Sequence, residues 1–147
     1  MRFFRNAAAT LLLTAGLAAA GEKGMMHCFA FTVIPEATDA DWKAFGEATD
    51  QWPKKFKGIK KVWHGKLRNP LTIYNINAEG RKKLAAGDKE VDTKGSRVIR
   101  QHGVCMLMTD EATLKAYTAQ PFHKEWMAKY EKVRVAGTTT YDILAAR

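Results

Sequence analysis

The stretch from residue 26 to residue 34 constrains the fold of this 147-residue chain most strongly, because it is apolar on both faces. It is rich in aromatic and β-branched side chains and stops at Pro35, which is typical of a β-strand. Alternate side chains of a strand point to opposite faces, here His27, Phe29, Phe31 and Val33 against Cys28, Ala30, Thr32 and Ile34. We therefore expect a strand that is covered on both sides.

A helix is predicted next, because Thr38 and Asp41 resemble a capping box. Its inner stripe recurs at helical spacing until Pro53 and consists of Trp42, Phe45, Thr49 and Trp52. Residues 59–64 then alternate as a second short strand. The periodicity is lost from about 65 to 96, where only residues 78–86 look helical, so this segment is predicted to be a long connection.

The third predicted strand spans residues 97–109. One of its faces carries Arg100, His102, Val104, Met106 and Met108. Asp110 can cap a helix that carries Tyr117, and Pro121 is well placed to start a second helical piece. A terminal strand over residues 133–144 is expected to be irregular around Gly137.

The order strand, helix, strand, strand, broken helix, strand predicts an α+β fold of the ferredoxin-like β-α-β-β-α-β type. The helices cover one face of such a sheet. The other face needs a cover that one copy does not supply, so we expect a homodimeric α+β barrel with the sheets packed face to face. Residues 21–147 are taken as one domain.

Residues 1–20 have the pattern of a secretory signal peptide: early arginines, an apolar run and small residues before position 21. The apolar run is shorter than a membrane span, so stable membrane insertion is not expected after cleavage. The mature protein would be periplasmic or secreted. A retained anchor and a true start at Met25 or Met26 remain as alternatives.

The chain is basic, with 24 Lys and Arg against 15 Asp and Glu. Basic clusters at residues 54–61 and 81–83 could meet an anionic polymer, a lipid surface or an acidic ligand, although a solvated basic face is the simpler interpretation. No nucleic-acid-binding signature accompanies the charge, and nucleic acid is not an expected partner.

Several segments resemble the stress-responsive dimeric A/B barrel (Dabb) domains in the same order along the chain. The matching segments are residues 26–31, 35–38, 56–59, His102, 114–117 and 120–123 with Trp126. The resemblance covers roughly residues 26–64 and 97–144. The connection at 65–96 is longer than the family usually has.

The resemblance implies candidate site residues. One plant branch of the family, the olivetolic acid cyclase type, closes a linear polyketide, and its catalytic Tyr and His resemble Tyr117 and His123. Its two further cavity histidines resemble His27 and His102. The family frequently has His where this chain has Gln120.

Imidazole and phenol suit proton transfer beside a carbonyl, with His123 as base and Tyr117 as donor to the oxyanion. Alternatively, both residues fix the fold. No short-range ligand spacing supports a metal or haem site on His27, His102 and His123, so no cofactor is expected.

Three functions remain open. The first is an exported protein that binds a small hydrophobic carbonyl ligand in a cavity lined by His27, Phe29, Phe31, Trp42, Phe45, His102, Met106, Tyr117, Phe122, His123 and Trp126. The second is a cofactor-free, polyketide-cyclase-like lyase in that cavity. The third is a structural dimer at the cell surface.

Cys28 and Cys105 can share the sheet face opposite His27 and His102, and export would permit a disulfide between them. A cross-strand bond also needs the right register, and two separate buried thiols are the expected arrangement.

Overall fold

The computed structural model describes residues 24–144. In chain order its elements are β1 (Met25–Val33), α1 (Asp39–Asp50), α2 (Trp52–Lys55), β2 (Ile59–Ile76), α3 (Ala78–Ala85), β3 (Gly95–Met108), α4 (Glu111–Tyr117), α5 (Pro121–Tyr130) and β4 (Arg134–Leu144). The predicted signal peptide at residues 1–20 lies outside the described part of the chain.

The four strands form one antiparallel sheet in the order β2-β3-β1-β4. The doubly apolar strand β1 lies inside the sheet, between β3 and β4. Its residue His27 is directly opposite Met106 on β3 and Asp142 on β4, while Phe31 is opposite His102. The arrangement is the predicted α+β fold of ferredoxin-like type, with α3 added between β2 and β3.

The core lies between the helices and the face of the sheet that carries His27, Phe29 and Phe31. Its largest fully buried side chains include Phe31, Trp52, Met106 and Trp126. The indole nitrogen of Trp126 donates to the hydroxyl of Thr49 over 3.0 Å, and that hydroxyl donates to the carbonyl of Phe45 over 2.8 Å. The buried polar atoms that join α5 to α1 are therefore satisfied, which avoids the cost of an unpaired buried group.

The predicted helix starts are confirmed. Thr38 and Asp41 form the capping box of α1, the Asp110 carboxylate accepts from the Thr113 amide over 2.7 Å, and Pro121 begins α5. The predicted first helix is divided, however. It ends at Asp50, and Trp52 belongs to the short helix α2, because Pro53 fits a first helical turn better than a helix interior.

The segment predicted as a connection is largely regular. Strand β2 continues past residue 64 to Ile76 and pairs again with β3, with residues 71–76 opposite 95–100. Four residues, 67–70, interrupt the pairing between the two halves. The outer half pairs with β3 alone and is largely exposed on both faces, so burial imposes no strict alternation on its sequence.

The expectation of two separate thiols was wrong, because Cys28 and Cys105 form a disulfide. The two residues are directly opposite each other on β1 and β3, with their Cα atoms 4.2 Å apart. The register that the sequence left undetermined is therefore the one that a cross-strand bond needs.

Within residues 24–144, no helix lies on the sheet face that carries the disulfide. We call it the open face, and it exposes Trp63, Tyr141 and Ile143, with 43, 48 and 51% of their surfaces accessible. Among residues 24–144, no helix has the length and apolar character needed to cross a bilayer.

Candidate functional site

The short non-helical segment between α4 and α5 brings the two predicted catalytic residues together. Tyr117 is the last residue of α4 and His123 lies in the first turn of α5, two residues after Pro121. Their ring centroids are 5.2 Å apart, in an edge-to-face arrangement. His27, projecting from β1, places its ring 5.6 Å from that of Tyr117. Three of the predicted site residues thus form one cluster.

A hydrogen-bonded chain runs through this cluster from Asp142 to Tyr117. The Nδ1 atom of His27 lies 2.7 Å from Oδ1 of Asp142, and Nε2 lies 3.5 Å from the Tyr117 hydroxyl. A carboxylate only accepts hydrogen bonds, so Nδ1 of His27 donates to Asp142, and we assign the tautomer that carries its proton on Nδ1. Nε2 is then an acceptor facing Tyr117, at a distance long enough for the hydroxyl to change partner easily.

The surroundings favour the neutral forms of Tyr117 and His123. Burial raises the pKa of Tyr117, and the negative charge of Asp142 raises it further. Burial lowers the pKa of His123 below its usual value of 6.5. At neutral pH the phenol therefore keeps the proton it would donate, and the imidazole is free to accept one.

The cluster opens onto a cavity of about 270 Å³ between α5 and the strands β1 and β4. The cavity is lined by His27, Phe29, Tyr117, His123, Trp126, Met127, Tyr130, Arg134, Thr138 and Thr140. This is large enough for a small organic molecule, although it lies just below the roughly 300–1,000 Å³ of typical ligand sites. Of the residues predicted to bind ligand, His27, Phe29 and Trp126 lie in its wall.

The other predicted lining residues lie elsewhere. Phe31 and Met106 are completely buried in the core, and His102 stacks on Trp42 with 4.5 Å between the ring centroids. The remaining members of the predicted lining that the cavity lacks are Trp42, Phe45 and Phe122. These residues lie on the same helix-covered side of the sheet as the cavity. The alternation of a strand predicts on which face a side chain lies, but not whether it lines a cavity or packs in the core.

Sequence reasoning missed Asp142, Tyr130, Arg134, Thr138 and Thr140. Asp142 alternates with Thr138 and Thr140 along the terminal strand, which the predicted topology places beside β1. The pairing of β4 with β1 was the available signal that Asp142 could face His27. An acidic residue near the end of the described chain fits an exposed strand position equally well.

No group of three or more His, Cys, Asp and Glu side chains is placed to hold a metal ion within residues 24–144. His27 and His123 both line the cavity, whereas His102 does not. The side chains present offer a base, a hydroxyl donor and an apolar wall, which together can bind and polarise a carbonyl group.

Comparisons with known proteins find similarity in structure alone. No family model matches the chain, and no curated protein matches its sequence. A dimeric protein of unknown function with a ferredoxin-like fold from Bacteroides fragilis aligns with a TM-score of 0.54 and 13% identity, over 83% of this chain and 96% of that one.

Two further solved structures align similarly. A Dabb family protein with a ferredoxin-like fold from Mesorhizobium loti gives a TM-score of 0.52 and 13% identity, over 85% of this chain and 100% of that one. The hydroxynitrile lyase of Passiflora edulis gives 0.55 and 7% identity, over 85 and 95%. The chain therefore has the ferredoxin-like α+β fold found in these proteins, a Dabb family member among them, as its strand and helix patterns and the Dabb resemblance predicted.

Proposed function

We propose that this is a Dabb-type protein that binds a small carbonyl compound in the cavity and moves a proton at the carbon next to the carbonyl. The observation that carries the proposal is the chain Asp142–His27–Tyr117, which meets His123 at the cavity wall. Ligand binding without turnover would need only the apolar wall. A buried donor, a neutral base and a carboxylate-oriented histidine favour the lyase-type alternative.

The geometry gives each residue a role. The ligand's carbonyl oxygen takes the Tyr117 hydroxyl from its long contact with His27. His123 accepts the proton from the neighbouring carbon, and the electron pair of that C–H bond forms an enolate. The negative charge develops on the oxygen that Tyr117 already faces, where the hydrogen bond strengthens. Return of a proton from His123 to carbon completes the exchange.

The fold is compatible with this chemistry, since one solved protein that shares it is described as a hydroxynitrile lyase. The identity of 7% carries no residue roles across. The roles above rest on the contacts in this chain.

Deuterium exchange tests the function directly. Acetophenone is incubated with the protein in D2O, and loss of its methyl signal is followed by proton NMR. We expect Tyr117→Phe and His123→Gln to slow the exchange by about a hundredfold, the lower end of general acid–base contributions. Tyr141→Phe, on the open face, is the matched control and should exchange at the wild-type rate.

Two results would contradict the proposal. Exchange by the unaltered protein no faster than in buffer would refute catalysis. If His123→Gln instead loses about 1–3 kcal/mol of unfolding free energy with unchanged exchange, His123 has the structural role left open by the sequence.

We also propose that the protein is a homodimer joined through the open face. Exposed Trp63, Tyr141 and Ile143 form an apolar surface of the kind that marks contacts between chains. The Bacteroides fragilis protein of the same fold is described as dimeric. A twofold axis would place the open faces of two copies against each other.

Export to the periplasm or the medium is the remaining proposal, with a mature chain starting near Gly21. The Cys28–Cys105 bond supports it, because disulfides persist in oxidising compartments. Mass spectrometry of cell fractions is the test. A mature chain near Gly21 outside the cytosol is expected, and a cytosolic chain starting at Met25 or Met26 would overturn it.

A further inference from the structure

A largely buried arginine lies in the wall of the proposed carbonyl cavity. Arg134, the first residue of β4, has only 14% of its side chain exposed. Its guanidinium carbon lies 4.5 Å from the centre of the Tyr130 ring, which itself lines the cavity. The positive charge is thus held in place by a cation–π contact at one side of the space a ligand would occupy.

This charge is poorly compensated. The carboxylate nearest to it in the salt-bridge geometry belongs to Glu131, at 3.9 Å and with 63% of its side chain exposed. The Nε–H of Arg134 finds no acceptor within residues 24–144, and neither does the buried hydroxyl of Tyr130. Buried donors in folded proteins are normally paired, so two unpaired donors beside one cavity require an explanation.

A second arginine, Arg100, also lies near Tyr130 and adds a second positive charge there. Arg100 is 9% exposed and donates to neutral acceptors: the Thr32 hydroxyl, the Thr139 hydroxyl and the Gly137 carbonyl. The charge distribution around the cavity is therefore polarised. Asp142 lies behind His27 at one end of the site, and the positive charges of Arg134 and Arg100 lie near Tyr130 at the other.

A row of aromatic rings connects the two ends. The centroid of Phe29 is 5.6 Å from that of His27 and 5.7 Å from that of Tyr130. A ligand whose carbonyl meets Tyr117 would place its apolar middle against Phe29 and its far end near Arg134.

We propose that the cavity takes carbonyl compounds that also carry a carboxylate, with Arg134 binding the carboxylate while Tyr117 meets the carbonyl. The inference rests on the proposed carbonyl function and names its substrate class. Arginine suits this role because its planar, permanently charged group matches a carboxylate. The anionic end would fix the orientation of the ligand, so that one particular carbon faces His123.

A matched pair of probes tests the charge requirement. 4-Acetylbenzoate carries a carboxylate across a ring from its acetyl group, and 4-acetylbenzamide has the same shape without the charge. Binding of each is measured by calorimetry at pH 7 and low salt. We expect the unaltered protein to bind the acid at least about tenfold more tightly than the amide, since hydrogen bonds to charged groups are the stronger class.

Three variants assign the effect to Arg134. Arg134→Gln should bring the ratio of acid to amide affinity close to one. Arg134→Lys should keep part of the preference, since lysine retains the charge but lacks the planar group that gives a carboxylate two hydrogen bonds. Lys132→Gln removes an equal charge from an exposed neighbour outside the cavity and should leave the ratio unchanged. If Arg134→Gln does not fold, the test uses Arg134→Lys and the unaltered protein instead. The acid-to-amide binding ratio of the unaltered protein is then measured at rising salt concentration.

The outcomes separate the two proposals. Equal binding of acid and amide by the unaltered protein, or a preference that survives in Arg134→Gln, would overturn the anion site. Failure of both probes to bind at 10 mM would overturn it together with the carbonyl cavity. Arg134-dependent binding of the acid without any methyl exchange would refute the proton transfer and support the anion site.

Discussion

Asp142 determines which nitrogen of His27 carries a proton, and through that nitrogen it influences Tyr117. The 2.7 Å contact fixes the proton on Nδ1 and leaves Nε2 as an acceptor. Replacement by asparagine keeps the shape but lets the amide present either a donor or an acceptor to the ring. The tautomer of His27 would then no longer be determined, and the orientation of the Tyr117 hydroxyl would be lost with it.

We therefore predict that Asp142→Asn slows methyl exchange of acetophenone by at least about tenfold, as expected when a carboxylate that orients a catalytic histidine is lost. The pKa of Tyr117 should fall at the same time, because the Asp142 charge is one cause of its rise. The exchange assay and a pH titration of the tyrosine absorbance measure the two effects. An unchanged rate would remove Asp142 from the site.

The lowered pKa values of His102 and His123 predict that the stability of the fold depends on pH. Burial lowers the pKa of both below 6.5, so the unfolded chain binds protons more readily than the folded one as pH falls. Their contribution to stability is full above pH 6.5 and is lost as pH falls from 6.5 through the lowered pKa values. The Asp41 and Asp110 caps, whose pKa values are also lowered, contribute fully above about pH 4 and lose their contribution only as pH falls below it.

Urea unfolding at pH 7.5 and pH 5 tests this sign. The free energy of unfolding should be smaller at pH 5, and the double variant His102→Gln/His123→Gln should show a smaller difference between the two conditions. A greater stability of the unaltered protein at pH 5 would contradict the prediction.

At the scale of elements, the disulfide joins two neighbouring strands that are 77 residues apart in sequence. Closing a loop of this length restricts the unfolded chain strongly, so we predict that Cys28→Ala/Cys105→Ala lowers the free energy of unfolding by about 2–5 kcal/mol. Urea unfolding of the oxidised and the reduced wild type provides the comparison. Reduced wild type as stable as oxidised wild type would show that the bond contributes little.

The elements that were predictable from sequence are those that bury at least one face or whose ends carry a capping residue or a proline. The capping pair of α1 and the proline at the start of α5 each have a local chemical signal. The outer half of β2 has none, because a ribbon exposed on both faces does not select between polar and apolar residues. Its pairing with residues 95–100 is a long-range property that local patterns do not encode.

The site was predictable only where its residues carry a local signal in the sequence. Tyr117 and His123 stand in a segment with a recognisable resemblance, and they do meet. Asp142 and Arg134 lie on β4, where the predicted strand gave parity without register. Register determines which β4 side chain faces His27, and it follows from the packing of the whole sheet.

For the whole molecule, the open face leads to a prediction about assembly. Ile143→Glu introduces a charge at a position that is half exposed in one copy, so the single chain should remain folded while the proposed dimer dissociates. Light scattering after gel filtration measures the mass, and circular dichroism checks the fold. Tyr74→Glu, on the exposed ribbon, is the control and should remain dimeric. A monomeric unaltered protein at micromolar concentration would refute the dimer.

The bond between Cys28 and Cys105 also changes what a break in the chain would mean. All of α1, α2, β2 and α3 lie between the two cysteines, as does the largely exposed segment 86–94. A protease that cuts this segment divides the polypeptide without separating the pieces, since β1 and β3 stay covalently linked. The nicked protein would run as one band on a denaturing gel until a reductant is added, and as two bands afterwards.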